Sequence, residues 1–131
     1  MPSDMWSLGC ILAELYKGEL LFPTHENLEH LALIERTIGP FPKQLLDAAT
    51  KLANEAFDSD GRHRMNRVLC SESAAYVRST PKLESLVRKP EEAWFRRLLS
   101  DSLRIDPDKR STAHECLKYL ARINRDVVRV A

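Results

Sequence analysis

The first predicted helix is apolar on almost all of its surface. From Ser3 to Lys17, apolar residues occupy nearly every position of the helical turn, and they are Met5, Trp6, Leu8, Cys10, Ile11, Leu12, Ala13 and Leu15. Such a helix normally lies at the centre of a larger globule, because no broad face of it suits water. Ser3 or Asp4 is the expected N-cap, and Gly18 is the expected stop. Since little sequence precedes this helix, we expect the chain to be part of a larger domain.

Composition and charge exclude several classes of protein. The 131 residues are 44% hydrophobic and 30% charged, which suits a folded domain better than a disordered tail. The 20 basic residues nearly balance the 19 acidic ones. This balance argues against a general nucleic-acid binder or a membrane-surface binder. No apolar run approaches the ~20 residues of a membrane span, and no signal-peptide pattern is present. We expect no nucleic acid and no membrane among the partners.

The cysteines and histidines predict neither disulfides nor a metal site. Cys10, Cys70 and Cys116 are odd in number and widely spaced. This predicts buried thiols in a reducing, intracellular compartment, the nucleus or the cytoplasm. His25 and His30 are five residues apart, whereas the helical zinc motif needs four.

A second amphipathic helix is predicted between Thr24 and Gly39. Its apolar positions recur at helical spacing, and they are Leu28, Leu31, Ile34 and Ile38. Glu29, Glu35 and Arg36 are free to face water. Thr24 is a candidate cap, and Gly39 before Pro40 predicts a left-handed cap and a break.

The segment 40–90 is less regular. Helical spacing runs from Leu45 to Phe57, and residues 58–61 have turn chemistry. The polar stretch 62–81 predicts an irregular insert, with a short hairpin as the alternative. Arg62, Arg64 and Arg67 form a basic patch there, either to contact an acidic or phosphorylated peptide or to lie in solvent.

Regular helices resume after the insert. An apolar stripe predicts a helix from Glu91 to Leu103. Thr112 and Glu115 are spaced as a capping box for a last helix, through about Ile123. The predicted fold class is mainly α.

Three segments resemble motifs of one enzyme family, in the family's order. The segment 4–12, DMWSLGCIL, resembles the D-x-W-S-x-G-C motif that opens the central helix of the protein-kinase C-lobe. The segment 29–39, EHLALIERTIG, resembles the EHLAMMERILG motif of LAMMER (Clk-type) kinases, and the segment 106–112, DPDKRST, resembles D-P-x-x-R-x-T. The matching positions are Asp4, Trp6, Gly9, Glu29, His30, Glu35, Arg36, Gly39, Asp106 and Arg110.

The resemblance implies a fold and a context. Residues 1–131 would be the lower half of a kinase C-lobe, with four main helices and a LAMMER-type insert over 40–90. In the family, the aspartate at the Asp4 position supports the catalytic loop, and in this chain it would act as a cap. The arginine at the Arg110 position pairs with the glutamate of an A-P-E motif that this sequence lacks. We therefore expect Arg110 to be solvated or paired differently.

The resemblance also implies what this chain lacks. The sequence contains no G-x-G-x-x-G, H-R-D or D-F-G motif. No catalytic, cofactor-binding or metal-binding residue is therefore predicted in this chain. The parent would be an ATP- and Mg-dependent dual-specificity kinase acting on Arg/Ser-rich splicing factors. The partners of this chain would be the missing N-lobe and catalytic loop.

An alternative reading is a non-catalytic helical interaction module or degenerate kinase paralogue, which would bind partners through the exposed first helix. In-frame catalytic motifs upstream of Met1 would favour the kinase.

Overall fold

The computed structural model describes residues 1–49 and 51–130, with side chains described through residue 126. The helices in this part of the chain are α1 (Pro2–Lys17), α2 (Asn27–Thr37), α3 (Lys43–Asp47), α4 (Lys51–Ala56), α5 (Met65–Val68), α6 (Ser71–Ser79), α7 (Ala93–Ser102) and α8 (Ala113–Val130). Two 3₁₀ turns, Leu83–Ser85 and Pro90–Glu92, precede α7. The predicted mainly α class is confirmed. None of the described helices is both long and apolar enough to cross a membrane.

The two ends of α1 differ in how well the sequence predicted them. The helix begins at Pro2, with Met1 at the N-cap position and no side-chain cap. Proline suits this first position because its fixed φ is already helical and it has no N–H to satisfy. The prediction of Ser3 or Asp4 as N-cap is therefore wrong, and Asp4 lies inside the first turn. At the other end Gly18 adopts φ 83° and donates to the carbonyl of Glu14, which confirms the predicted stop.

The close approach of α1 and α7 depends on Gly9. A Cβ atom at this position would lie 2.8 Å from Cγ of Leu103 and 3.1 Å from Cβ of Ser102. Both neighbours are fully buried, so neither can move aside freely. The absence of a side chain at Gly9 therefore sets the distance between the two helices. The main core lies beside this contact and contains Ala13, Leu21, Leu83, Val87, Leu99 and Leu103.

Another face of α1 is apolar and uncovered. Leu8, Ile11 and Leu15 are spaced three and four residues apart and are 43%, 52% and 77% exposed. They form a stripe along the helix, which we call the α1 stripe. The helix is thus apolar both where it packs on α7 and where it meets solvent.

Both ends of α2 differ from the caps that the sequence predicted. Glu26 occupies the N-cap position, and Thr24 instead accepts a hydrogen bond from the Glu26 amide at 3.2 Å. Thr24 is therefore not the cap. Gly39 has a positive φ of 140°, far from the left-handed helical value near 57°. It does not form the predicted left-handed cap, and the helix closes with Ile38 donating to Ile34.

The insert is more helical than its sequence predicts. The predicted helical stretch 45–57 is divided into α3 and α4, and the stretch 62–81, predicted irregular, contains α5 and α6. Ala74 and Val77 of α6 are buried, and Val77 packs with Ala32 and Leu33 of α2. Packing against α2 therefore stabilises a helix whose own periodicity is weak. An antiparallel bridge joins Phe57 to His63.

The cysteine prediction holds in part. Cys116 is buried and Cys10 is half-buried, whereas Cys70 is exposed at the N-cap of α6. Its sulfur accepts a hydrogen bond from the Ser73 amide at 3.4 Å. Capping α6 thus explains why this thiol lies at the surface.

The capping box before α8 is confirmed. Thr112 donates from its amide to Glu115 at 2.8 Å, and the Glu115 amide donates to the Thr112 hydroxyl at 3.2 Å. The Thr112 amide and the Thr112 hydroxyl both donate to the Glu115 carboxylate, and these bonds hold the pKa of Glu115 below its ordinary value. The helix that follows continues past Ile123 to Val130. The helix α7 begins at Ala93, two residues later than predicted.

Substituting Gly9 tests the contact between α1 and α7. We expect Gly9→Ala to lower the free energy of unfolding by about 1–3 kcal/mol, as overpacking does in a rigid core. In an uncrowded helix the same change would stabilise by up to ~1 kcal/mol. The measurement is urea unfolding followed by circular dichroism, repeated in a Leu103→Ala background that lacks the Cγ and Cδ2 atoms nearest to position 9. Stabilisation by Gly9→Ala in the parent chain, or an equal cost of Gly9→Ala in the parent and in the Leu103→Ala background, would contradict the close approach.

Candidate functional site

The guanidinium of Arg110 joins the loop before α8 to the first turn of α1. Its Nε donates to the carbonyl of Arg104 at 2.8 Å, and its Nη2 donates to the carbonyl of Ile105 at 3.0 Å. Its Nη1 donates to the carbonyl of Pro2 at 2.7 Å. Three carbonyl oxygens on two segments are therefore satisfied by one planar group. Burial lowers the pKa of Arg110, and the nearby Asp106 opposes this change.

The partners of Arg110 are carbonyls and not a carboxylate. Among the described residues, no carboxylate oxygen lies within 4.0 Å of its guanidinium. Asp106 instead accepts the amide of Asp108 at 3.0 Å and pairs with Lys109 at 3.6 Å. Asp106 therefore shapes the loop, and Arg110 attaches the loop to α1.

A column of stacked side chains continues from Arg110 to α2. The Arg110 guanidinium lies 5.2 Å from the ring centre of Trp6, which stacks on Phe22 at 6.2 Å with an interplanar angle of 4°. Phe22 contacts the imidazole of His30 at 5.4 Å. One residue from each of the three sequence motifs thus meets in this column, which we call the motif column. Sequence reasoning missed Phe22, although an aromatic residue beside a turn proline is a signal for packing.

The C-terminal half of α2 holds the insert by two polar contacts. Glu35 accepts a hydrogen bond from the amide of His63 at 3.1 Å. Arg36 donates from its Nε to the carbonyl of Thr80 at 2.9 Å. The prediction that Glu35 is a charge facing water is therefore wrong, since Glu35 and Arg36 bind the backbone at opposite ends of the segment 63–80. Burial raises the pKa of Glu35, and the His63 amide offsets part of this.

His63 is enclosed between the insert and α2. Its ring packs edge-on against Phe57 at 5.2 Å, and both ring nitrogens are buried without a hydrogen-bond partner among the described residues. Burial lowers the pKa of His63, and the nearby backbone of Leu28 offsets part of this. Burial therefore favours the neutral imidazole over the charged one.

The remaining predicted residues lie outside the motif column. Asp4 is exposed and pairs with the Met1 amino group at 3.2 Å. Glu29 is half-buried on α2, Gly9 faces α7, and Gly39 follows α2.

The three arginines of the predicted basic patch do not line the same space. Arg64 and Arg67 line one open concavity of about 500 Å³ together with Asn66. Arg62 lines a different groove, beside Arg36.

That this chain holds neither ATP nor magnesium stays a prediction. Among its glycines, Gly9 lies inside α1 against Leu103, and Gly18 ends the same helix. No group of three or more His, Cys, Asp or Glu side chains in the described part of the chain is arranged to hold a metal. The arrangement is a structural junction, and no step of phosphotransfer follows from it.

Comparison with known proteins identifies the family. The family model described as "Protein kinase domain" matches residues 1–120. The chain belongs to the protein kinase family.

Its curated relatives are LAMMER-type kinases, as the 29–39 motif suggested. Serine/threonine-protein kinase AFC2 of Arabidopsis thaliana is 37% identical over 90% of this chain, and dual specificity protein kinase CLK1 of Homo sapiens is 38% identical over 90%. Dual specificity protein kinase lkh1 of Schizosaccharomyces pombe is 39% identical over 88%. The chain spans 28%, 24% and 17% of these three relatives, respectively.

A solved structure supports the same family and fold. The crystal structure of a kinase domain matches 90% of this chain with a TM-score of 0.79 and 36% identity, over 35% of its own length. The predicted lower half of a kinase C-lobe is confirmed, and α1, α2, α7 and α8 are its four main helices.

The pH dependence of stability tests the burial of His63. A histidine whose pKa is lowered on folding binds protons more readily when unfolded, so stability falls as the pH drops below its ordinary value of 6.5. Glu35 has the opposite effect because its pKa is raised on folding. It increases the stability of the fold as the pH falls towards 4.5 and decreases that stability as the pH rises. We expect His63→Phe to reduce the loss of stability between pH 7 and pH 5.5, measured by urea unfolding. His25→Phe, at an exposed position, is the matched control. If the free energy of unfolding changed with pH equally in His63→Phe and in the parent chain, the burial of His63 would be contradicted.

Proposed function

We propose that this chain is the scaffold half of the C-lobe in a LAMMER-type dual-specificity protein kinase. The observation that carries the proposal is the motif column, because it joins three kinase motifs through Arg110, Trp6 and His30. The parent would phosphorylate Ser, Thr and Tyr of protein substrates, Arg/Ser-rich ones among them. It would use ATP and Mg held by parts of the domain that this sequence does not contain, in the nucleus or the cytoplasm.

The scaffold role follows from the two faces of α1. One face is fixed to α7 at Gly9, and the other carries the exposed α1 stripe of Leu8, Ile11 and Leu15. An exposed apolar stripe of this kind suits contact with another part of a folded domain. In the proposed kinase, the catalytic loop and the part of the domain nearest to it cover the stripe. The helix would thereby position a loop whose catalytic residues must be held within a fraction of an ångström.

The substrate-facing role is assigned to Arg64 and Arg67 of the insert. Both line the concavity beside α5, where the Arg64 Nε is buried without a partner among the described residues. Asn66 between them is held by a 2.8 Å hydrogen bond from Arg78. Guanidinium groups at such a site suit acidic or phosphorylated side chains of a substrate. The insert over 40–90 is, in this proposal, the LAMMER-specific part of the substrate surface.

Phosphotransfer assays test the proposal in two preparations. We expect the 131-residue chain with Mg-ATP to transfer no phosphate to an Arg/Ser-repeat peptide, because positioning nucleotide and metal needs the missing motifs. We expect the protein from the longest reading frame that contains this chain to transfer phosphate to the same peptide. Activity of the short chain that survives a contamination control would overturn the scaffold assignment. A longer protein without H-R-D and D-F-G motifs would favour the interaction module.

Variants of the insert test the substrate-facing role in the longer protein. Arg64→Gln/Arg67→Gln should raise KM for a pre-phosphorylated Arg/Ser peptide by about three- to tenfold and leave kcat unchanged. Lys118→Gln/Arg122→Gln, which removes the same charge from exposed positions of α8 outside the insert, is the matched control. An unchanged KM in the arginine variant would exclude this role without excluding kinase activity.

A further inference from the structure

A second groove shares no lining residue with the Arg64 concavity. It has a volume of about 820 Å³ and is lined by the C-terminal end of α2, the start of the first 3₁₀ turn and the loop between α7 and α8. Its apolar lining comes from Ile38, Leu83 and Ile105, of which Leu83 is buried in the main core. These three side chains form the floor of the groove, and Leu83 connects that floor to the main core. We call this space the basic groove.

Basic side chains outnumber acidic ones in the basic groove. The five basic residues are Arg36, Arg62, Lys82, Arg104 and Lys109, and the three acidic residues are Glu35, Glu84 and Asp106. The whole chain has a net charge of only +1. Positive charge is thus concentrated here relative to the chain as a whole.

The acidic residues offset part of this charge and leave an excess of two positive charges in the groove. Glu35 is half-buried and accepts the His63 amide. Asp106 pairs with Lys109 at 3.6 Å, and Arg104 pairs with Asp101 at 2.9 Å. These contacts account for two of the five basic side chains.

The other three basic side chains come from three different segments. Among the described residues, Arg36, Arg62 and Lys82 have no carboxylate oxygen within 4.0 Å. All three are exposed, and Arg36 has used only its Nε, on Thr80. Their positive groups therefore remain available to an anionic ligand at the groove.

We propose that the basic groove binds an extended acidic segment of a partner protein. Carboxylates of the segment would pair with Arg36, Arg62 and Lys82, and apolar side chains between them would lie on the floor. Arginine in particular holds a carboxylate with two hydrogen bonds, so two of the three contacts have defined geometry. The proposal does not depend on phosphotransfer by the parent protein.

The lining favours a peptide over a nucleic acid. No aromatic side chain is among the residues that line the basic groove, so bases would find nothing on which to stack. The groove also contains three carboxylates, which would repel a continuous phosphate backbone. An extended peptide can alternate acidic and apolar side chains to match both the rim and the floor.

Fluorescence anisotropy with two labelled peptides tests the proposal on the full chain. One ten-residue peptide alternates Glu with Leu and Val, and the other replaces each Glu by Gln. We expect only the acidic peptide to bind, with affinity that falls as salt is raised from 50 to 300 mM. Arg62→Gln/Lys82→Gln should weaken binding by about three- to tenfold, as the loss of two exposed ion pairs does. Lys51→Gln/Lys118→Gln, which removes the same charge elsewhere, should bind like the parent chain.

Several outcomes would overturn the proposal. The acidic peptide could fail to bind, or it could bind the Arg62→Gln/Lys82→Gln chain as tightly as the parent chain. The Gln peptide could bind as tightly as the acidic peptide, or a single-stranded oligoribonucleotide could bind more tightly than it. Each of these results contradicts an acidic-peptide site at the basic groove. Because the variants could also alter folding, circular dichroism of each chain is recorded first. A photo-reactive form of the acidic peptide gives a second readout that depends on position. Crosslinks at residues 36–42, 82–84 or 104–109 support the basic groove, and crosslinks confined to α8 or α4 contradict it.

Discussion

The guanidinium of Arg110 is the contact on which the arrangement of the main helices depends. It satisfies carbonyl oxygens of Arg104 and Ile105 in the loop before α8 and of Pro2 at the start of α1. A planar group with five donors can reach three acceptors in different directions, whereas a lysine ammonium at the end of a flexible chain cannot match this geometry. The same group covers one face of Trp6, which in turn stacks on Phe22. Arg110 therefore both donates hydrogen bonds to the loop carbonyls and packs against the aromatic ring that α1 contributes.

The helix α2 connects this junction to the insert. Its N-terminal half contributes His30 to the motif column, and its C-terminal half uses Glu35 and Arg36 to hold both ends of the segment 63–80. Glu35 is partly removed from water, which raises its pKa and so disfavours the charged form that accepts the His63 amide most strongly. Glu35 and Arg36 of the 29–39 motif thus attach the insert to α2.

The sequence predicted features that depend on local chemistry. Gly18 ends α1 and the Thr112–Glu115 box begins α8 because each requires only its own few residues. The prediction for Asp4 was wrong because Pro2 starts the helix earlier than a polar cap would.

Features that depend on distant residues were not predictable in the same way. The helix α6 is stabilised by burial of Val77 against α2, and no periodicity within 62–81 reveals this partner. Likewise the roles of Glu35 and Arg36 depend on His63 and Thr80, which are 28 and 44 residues away in the chain. Family resemblance identified the three motifs, and the structure added Phe22 as the residue that connects them.

Hydrogen exchange of the amides beside Arg110 tests the central claim most directly. The parent chain would be compared with Arg110→Gln, Arg110→Lys and the control Arg122→Gln, which removes the same charge at an exposed position of α8. We expect Arg110→Gln to cost about 1.5–3 kcal/mol, because three carbonyls, two exposed and one half-buried, lose a charged donor. Exchange at residues 4–6 and 109–111 should then accelerate at least about tenfold, with less than half of the protection restored by lysine. The control should stay within about 0.5 kcal/mol of the parent chain. Unchanged exchange in Arg110→Gln, or full restoration by lysine, would contradict the account.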